Sequence, residues 1–131
     1  MRVLVDTNIL FSAMLLPKSV PAKALLRAVK KHRVILCDRN ISELKDILRR
    51  KAPNLLPYVD DFLAGLQYEH IPVADYAGIQ IRDENDQLIL NAAIVYDADI
   101  ILTGDKDFLS LDIEHPKCVP PSDFLKLFDE V

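Results

Sequence analysis

Glycine, cysteine and histidine are scarce in this chain, and their scarcity excludes several kinds of site. The three glycines, Gly65, Gly78 and Gly104, form neither a GxGxxG fingerprint nor a P-loop, so nucleotide binding by a glycine-rich loop is excluded. The two cysteines, Cys37 and Cys118, form no CxxC pair, and only three histidines accompany them. Neither a zinc site nor a disulfide framework is indicated, and we expect reduced thiols.

Long apolar runs are also absent. Asp6 interrupts the apolar start of the chain almost at once, and no run approaches the roughly 18 apolar residues that a membrane-spanning helix needs. The formal net charge of −4 gives no bulk signal for nucleic-acid binding, but it permits basic faces beside an acidic site. We therefore expect a cytoplasmic protein with neither a signal peptide nor a membrane-spanning segment.

Strand-like and helix-like patterns alternate along the 131 residues, half of which are hydrophobic. Strands are predicted at residues 3–5, 34–37, 70–73 and 100–103, with a further short strand near Cys118. Helices are predicted at residues 8–16, 21–31, 40–50, 55–66, 86–96 and 122–128. A chain of this length and composition can bury a sizeable core.

This alternation predicts an α/β fold. Strands that are separated by helices imply crossover connections and a central, mostly parallel sheet that is covered on both faces, which is a three-layer α/β/α sandwich. No internal repeat, low-complexity tract or long linker rich in Pro, Gly and Ser divides the chain. We expect a single domain that spans residues 1–131.

Four acidic residues lie where predicted strands end or predicted helices begin. Asp6 and Asp105 follow apolar strands, and Glu43 and Asp86 lie in the opening turns of helices. The carboxyl ends of parallel strands share one edge of the sheet, where open α/β folds bind ligands. We therefore expect the four side chains to form one cluster. Hard carboxylate oxygens favour Mg²⁺ or Mn²⁺, ions that activate water and offset charge in phosphodiester hydrolysis.

Each acid also has an ordinary structural explanation, because Asp and Glu accept backbone N–H bonds in first helical turns. Asp6 and Asp86 are placed to cap helices, and Asp105 is placed to brace its turn. Glu43 stands three residues after Asn40, which is the spacing of a capping box. Four independent caps need not converge on one edge, so the joint pattern favours a metal site.

The chain resembles the PIN-domain family in four successive segments that together span most of its length. They are residues 5–10 (VDTNIL), 42–44 (SEL), 83–86 (DEND) and 103–109 (TGDKDFL). The first and last are quite specific, whereas the middle two are weak alone. The resemblance implies a metal-dependent nuclease, and many short bacterial and archaeal members are the toxin ribonucleases of toxin–antitoxin pairs. It places Asp6, Glu43, Asp86 and Asp105 on the family's acidic positions.

The resemblance also implies supporting roles. Asn8 is expected to orient a carboxylate, and Thr103 to position water or phosphate, although a turn and a packing role explain them equally well. Asp107 is a candidate secondary ligand, although the role of a solvated turn acid explains it slightly better. Asp83 lies three residues before Asp86 and is the alternative for the third acidic position. We prefer Asp86 because it directly precedes the apolar helix.

Basic residues supply candidates for holding RNA, because phosphate contacts position a strand without reading its sequence. Arg49, Arg50 and Lys51 close the third predicted helix, where cations oppose the helix dipole. The other candidates are Lys23, Arg27, Lys30, Lys31 and Arg39. A charged helix face is also ordinary where it is simply solvated.

The leading hypothesis is an endoribonuclease that uses Mg²⁺ or Mn²⁺, held by the four acids, to cut RNA. An antitoxin partner follows from the family resemblance alone. An RNA-processing nuclease and a non-catalytic binding module are the alternatives. A phosphohydrolase of haloacid-dehalogenase type is disfavoured, because it needs a second acid where this chain has Asn8. The sequence leaves open the RNA target, the number of ions and whether the chain forms a homodimer.

Overall fold

A computed structural model describes residues 1–75 and 77–127 of the chain. Five strands form one sheet in the order β3-β2-β1-β4-β5, and every neighbouring pair is parallel. The strands are Arg2–Val5 (β1), Arg33–Cys37 (β2), Glu69–Ile71 (β3), Ile100–Leu102 (β4) and Lys117–Val119 (β5). The prediction of a parallel sheet, including a short strand near Cys118, is confirmed.

The register of the two central strands brings distant parts of the chain together. Val5 of β1 lies opposite Leu102 of β4, so the next residues, Asp6 and Thr103, lie side by side at the carboxyl edge of the sheet. The strand order also reverses at this point, because β2 and β4 flank β1 on opposite sides. Open α/β sheets bind their ligands at such a switch point.

Seven α-helices and one 3-10 helix connect and cover the strands in the described part of the chain. The α-helices are Thr7–Leu15 (α1), Val20–Lys31 (α2), Asp38–Lys51 (α3), Val59–Leu66 (α4), Glu84–Val95 (α5), Lys106–Leu109 (α6) and Pro121–Leu127 (α7). No single helix within residues 1–75 and 77–127 is long and apolar enough to span a membrane, and α1 and α2 meet that criterion only as a pair bent by 110°.

Besides helix ends that shift by one or two residues, two helices differ from the prediction. A single helix over residues 55–66 is wrong, because a 3-10 helix, Pro53–Tyr58, precedes α4 and contains Pro57, which cannot donate a helical hydrogen bond. The four-residue helix α6 was not predicted, since it is too short to show a 3.6-residue period. The closing helix is described to Leu127, and its predicted end at Phe128 lies outside the described residues.

Two hydrophobic clusters sandwich the sheet. Val3 and Val5 of β1 pack with α1, α2, α3, α4 and α7 on one face, whereas Leu4 packs with α5 and Phe108 of α6 on the other. Alternate residues of a strand point to opposite faces, so one short strand contributes to both cores. The three-layer α/β/α architecture is therefore confirmed, and both cores stop at the carboxyl edge, where the acids begin.

Candidate active site

Asp6 is a buried carboxylate at the end of β1, only 2% exposed. It occupies the N-cap position of α1 but makes no capping hydrogen bond with its side chain. Instead, the Thr103 hydroxyl donates to Asp6 Oδ2 at 2.8 Å. Burial raises the pKa of Asp6 to about 6, the Thr103 hydrogen bond opposes the rise, and the charges of Glu43 and Asp105 add to it. The capping explanation of Asp6 is therefore wrong, because the side chain faces other acids.

Asp86, Asp105 and Asp107 offer three carboxylate oxygens that all lie within 4.8 Å of one another. Asp86 projects from the first turn of α5 and is 8% exposed. Burial, followed by the charges of Asp105 and Asp6, raises the pKa of Asp86 to about 7. Asp6, Asp86, Asp105 and Glu43 therefore interact electrostatically, and Asp107 lies beside two of them. We call these five residues the acidic cluster.

The structure separates the roles of Asp83 and Asp86. Asp83 is exposed at the N-cap of α5, and its Oδ1 accepts a hydrogen bond from the Asn85 backbone N–H at 2.8 Å. Asp86 is therefore not the cap of this helix, and it is Asp86 that lies against Asp105 and Asp107. Since α5 begins at Glu84 rather than at residue 86, the cap falls on the earlier acid.

Asp105 does brace its turn, as its ordinary structural explanation requires. It is the N-cap of α6, where its Oδ1 accepts from the Asp107 backbone N–H at 2.8 Å. Its own N–H donates to the Thr103 hydroxyl at 3.0 Å, and the same hydroxyl donates to Asp6. Capping and clustering therefore coexist, and Thr103 links two of the acids instead of serving as a packing residue alone.

Glu43 reaches the cluster from α3, and its capping-box explanation is wrong. The helix begins at Asp38, so Asn40 is its third residue and the capping box joins Asn40 to Cys37. Glu43 lies one turn further along, with its Oε2 3.6 Å from Arg39 Nε. Both atoms are buried, and neither makes a hydrogen bond in the described part of the chain. Burial raises the pKa of Glu43 against the opposing charge of Arg39.

Asn40 positions this edge of the sheet, a role that the sequence did not reveal. Its fully buried Nδ2 donates to the Val5 carbonyl at 3.1 Å and to the Thr7 hydroxyl at 3.3 Å. Its Oδ1 accepts from the Cys37 backbone N–H at 3.0 Å. Asn40 therefore ties the end of β1, which carries Asp6, to the start of α3. Its place just after a buried strand signals a cap, but the sequence does not show the contact with β1.

Asn8 does not orient a carboxylate in this structure. Its side chain is exposed, and it donates to no acid among the described residues. It lines a cavity of about 420 Å³ at the sheet edge, together with Gly104 and Asp105. The orienting hydrogen bonds come from Thr103 and from backbone N–H groups instead.

The three predicted RNA-binding residues at the end of α3 differ in their surroundings. Arg49 forms an ion pair with Asp46 at 2.8 Å. Arg50 is exposed and lines a groove that also contains Glu43. Lys51 is exposed and does not line this groove. The structure therefore connects Arg49 and Arg50, but not Lys51, with the surface beside the acidic cluster.

The donor set of the cluster fits a divalent cation. Its carboxylates supply hard oxygen ligands of the type that Mg²⁺ and Mn²⁺ prefer. Burial is the main cause of the raised pKa values of Asp6 and Asp86, and repulsion from the neighbouring carboxylates adds to it. A bound cation would relieve this repulsion and would offer a partner to the buried Oε2 of Glu43.

Comparisons with known proteins agree with this geometry. The PIN domain family model matches residues 2–107, a range that includes Asp6, Glu43, Asp86 and Asp105. The chain is 28% identical over 146 residues to the uncharacterized protein MJ1680 of Methanocaldococcus jannaschii, an alignment that covers 98% of this chain and 92% of that protein.

A solved structure shares the fold. A chain in the crystal structure of VapBC2 from Rickettsia felis bound to a DNA fragment from their promoter superposes with a TM-score of 0.71. The match has 19% identity and covers 92% of this chain and 98% of that chain. The family match, the all-parallel sheet and the acidic cluster at its carboxyl edge lead to one conclusion. The chain belongs to the PIN-domain family, whose members are in general nucleases.

Proposed function

We propose that this chain is a single-domain endoribonuclease that depends on Mg²⁺ or Mn²⁺ and acts as the toxin of a toxin–antitoxin pair. Asp6, Glu43, Asp86 and Asp105 are the proposed ligands of the cation, and Asp107 is an additional candidate. The observation that carries the proposal is the meeting of carboxylates from four separate elements at the switch point of the sheet, where Asp86, Asp105 and Asp107 lie within 4.8 Å of one another.

The pattern of burial supports a catalytic role over a structural one. Helix caps need no neighbouring acids, but Asp6 and Asp86 are 2% and 8% exposed, and burial followed by the charges of other acids in the cluster raises the pKa of each. Such an arrangement costs stability unless a cation offsets it. A chain that retained these acids as scaffold alone would gain from neutral residues at the same positions.

The chain's own residues prepare the site for phosphodiester hydrolysis. Thr103 holds one oxygen of Asp6 with a hydrogen bond, while the backbone N–H of Asp107 fixes Asp105. Asn40 holds β1 and α3 at a constant separation. A divalent cation bound there would lower the pKa of water and offset charge on the phosphate in the transition state. Ligands that are already held in place, such as Asp6 and Asp105, need little rearrangement before the reaction.

A protein partner is also proposed. The fold neighbour from Rickettsia felis was solved as VapBC2 bound to a DNA fragment from their promoter. Together with the family resemblance, this supports an antitoxin that accompanies the present chain and neutralises it. Growth arrest on expression, relieved by that partner, is the behaviour that a toxin role requires.

Cleavage of RNA tests the proposed activity. The purified chain should cleave single-stranded RNA when Mg²⁺ or Mn²⁺ is added and should stop when EDTA removes the cation. Asp86→Asn should abolish cleavage, whereas the matched control Asp112→Asn, at an exposed acid, should retain it. Cleavage that persists in EDTA, or in Asp86→Asn, would contradict the proposal.

Expression in a susceptible host separates a toxin from an RNA-processing nuclease. Induction of the wild-type chain should arrest growth, and Asp86→Asn at equal abundance should not. Arrest by both proteins would exclude nuclease activity as its cause. Cleavage in vitro without any arrest would assign the chain to RNA processing.

A further inference from the structure

A groove of about 410 Å³ runs along α3 and opens beside the acidic cluster. Its wall includes Arg39, Glu43, Arg50 and Asn85. Glu43 is one of the four proposed ligands, and Asn85 directly precedes Asp86 in the first turn of α5. The groove therefore leads from the proposed reaction centre toward the C-terminal end of α3.

The two arginines occupy one face of the helix. Residues 39, 43, 46 and 50 recur at intervals of three or four, and residue 47 lies four after 43 and three before 50, which places them along a single stripe of α3. Arg39 and Arg50 are eleven residues apart, which corresponds to roughly 16 Å along the helix axis. This separation is several times the ~3.4 Å rise per nucleotide of one duplex strand, so the arginines reach different phosphates of one strand.

The charges in the groove are unequally compensated. Arg49 pairs with Asp46 at 2.8 Å, which neutralises both. Arg50 is exposed, and within residues 1–75 and 77–127 no acid forms an ion pair with it. Arg39 lies 3.6 Å from Glu43 and donates from Nη2 to Asn85 Oδ1. If Glu43 turns toward a cation, Arg39 loses its acidic neighbour and its guanidinium becomes available.

We propose that this groove holds the RNA strand on one side of the bond to be cut, with Arg39 and Arg50 binding backbone phosphates. The inference rests on the proposed ribonuclease function and deepens it. A guanidinium matches a phosphate with two parallel hydrogen bonds, so arginine suits this task better than lysine. Such contacts set the position of the strand and read no base.

A second basic surface offers the sharpest comparison. A cavity of similar volume between α2 and α7 is lined by Lys23, Arg27, Lys30 and Lys126. Its positive charge is greater, but none of the four proposed ligands lines it. A strand held there would not be adjacent to Glu43. Proximity to the cluster therefore favours the α3 groove, and charge alone favours the other surface.

Binding of RNA by a cleavage-deficient protein tests the assignment without relying on activity. In an Asp86→Asn background with Mg²⁺ present, fluorescence anisotropy of a short, labelled single-stranded RNA of mixed sequence gives the dissociation constant. Arg50→Ala should weaken binding about tenfold, the effect of losing a charged hydrogen bond. It should also make the negative slope of log affinity against log salt shallower by about 0.7, as for one lost phosphate contact on a single strand.

Two matched variants serve as controls. Lys51→Ala removes the neighbouring charge at the same helix end, and Lys30→Ala removes a charge from the α2 surface; both should change affinity less than twofold. All three residues are exposed, and equal melting temperatures would confirm that folding is unaffected. Equal losses of RNA affinity in Arg50→Ala and Lys51→Ala, or a larger loss in Lys30→Ala, would overturn the proposal that the α3 groove binds RNA. If the Asp86→Asn protein itself does not bind RNA, both the role of the groove and the proposed ribonuclease function would be contradicted.

Discussion

Removing the charge of Asp6 should stabilise the cation-free protein and at the same time abolish its stabilisation by Mg²⁺ or Mn²⁺. Asp6 is 2% exposed, and burial is the main cause that raises its pKa from 3.8 to about 6. The substitution Asp6→Asn keeps the shape of the side chain, and its amide oxygen can still accept from the Thr103 hydroxyl. The variant therefore removes a charge and little else.

The magnitude follows from the pKa. A rise from 3.8 to about 6 corresponds to roughly 3 kcal/mol, since each tenfold change in proton affinity is worth about 1.4 kcal/mol. Because the folded-state pKa is the higher one, the protonated group carries no penalty below about pH 4, and the penalty grows as pH rises to about 6. Asp6→Asn should thus exceed the wild type in stability by up to ~3 kcal/mol at pH 8 and by little at pH 4.

Cations should offset this difference in stability. A ligand at a hundred times its dissociation constant stabilises the folded state by about 2.7 kcal/mol. For a chain of this size, that corresponds to a rise in melting temperature of roughly 10 °C. The wild type should show this rise with millimolar Mg²⁺ or Mn²⁺ at pH 8, and Asp6→Asn should lose most of it because one ligand is gone.

Thermal unfolding followed by circular dichroism measures both effects, with EDTA or Mg²⁺ at pH 4 and pH 8. Asp112→Asn is the matched control, since Asp112 is an exposed acid outside the cluster. A cation-free Asp6→Asn protein that melts below the wild type at pH 8 would refute the reasoning about burial. A cation-induced rise of equal size in both proteins would refute the role of Asp6 as a ligand.

Three further predictions concern single side chains. Glu43→Gln should fold normally and lose most RNA cleavage, because a ligand needs its charge; near wild-type cleavage would show that Glu43 is not a ligand. Asn40→Ala should lower the free energy of unfolding, measured in urea, by about 2–4 kcal/mol, since it leaves buried backbone groups of Val5 and Cys37 unpaired. The control Ser42→Ala, at an exposed position, should change it by less than about 0.5 kcal/mol. Thr103→Val should raise the pKa of Asp6 above about 6, because the hydrogen bond that lowers it is lost. NMR titration of the Asp6 carboxyl carbon measures this pKa, and an unchanged value would contradict the role of Thr103.

The strands and the convergence of the acids were predictable from local patterns. Apolar runs that end in an acid, such as residues 3–6, identify both the strand and the edge at which it stops. Because all strands are parallel, their ends meet at one edge, so the separate acids had to come near one another. The short helix α6 and the break at Pro57 were not predictable, because neither produces a clear helical period in the sequence.

The contacts that hold the acids in place were not predictable. The Thr103 hydroxyl reaches Asp6 across 97 positions of sequence, and Asn40 reaches Val5 across 35. These contacts depend on the register between strands and on the start of α3, which lies two residues earlier than its pattern indicated. For the same reason Asn8, adjacent to Asp6 in sequence, was given the orienting role that Thr103 performs in the structure.

The central claim is that the acidic cluster binds a divalent cation, and a crystal soaked in Mn²⁺ tests it most directly. Anomalous diffraction should locate a manganese ion bonded to oxygens of Asp6, Asp86 and Asp105 at about 2.1–2.2 Å, close to the distances at which Mg²⁺ binds. The same crystal of Asp86→Asn should show weaker manganese density at this position. An absence of anomalous density between these carboxylates at millimolar Mn²⁺ would contradict the account.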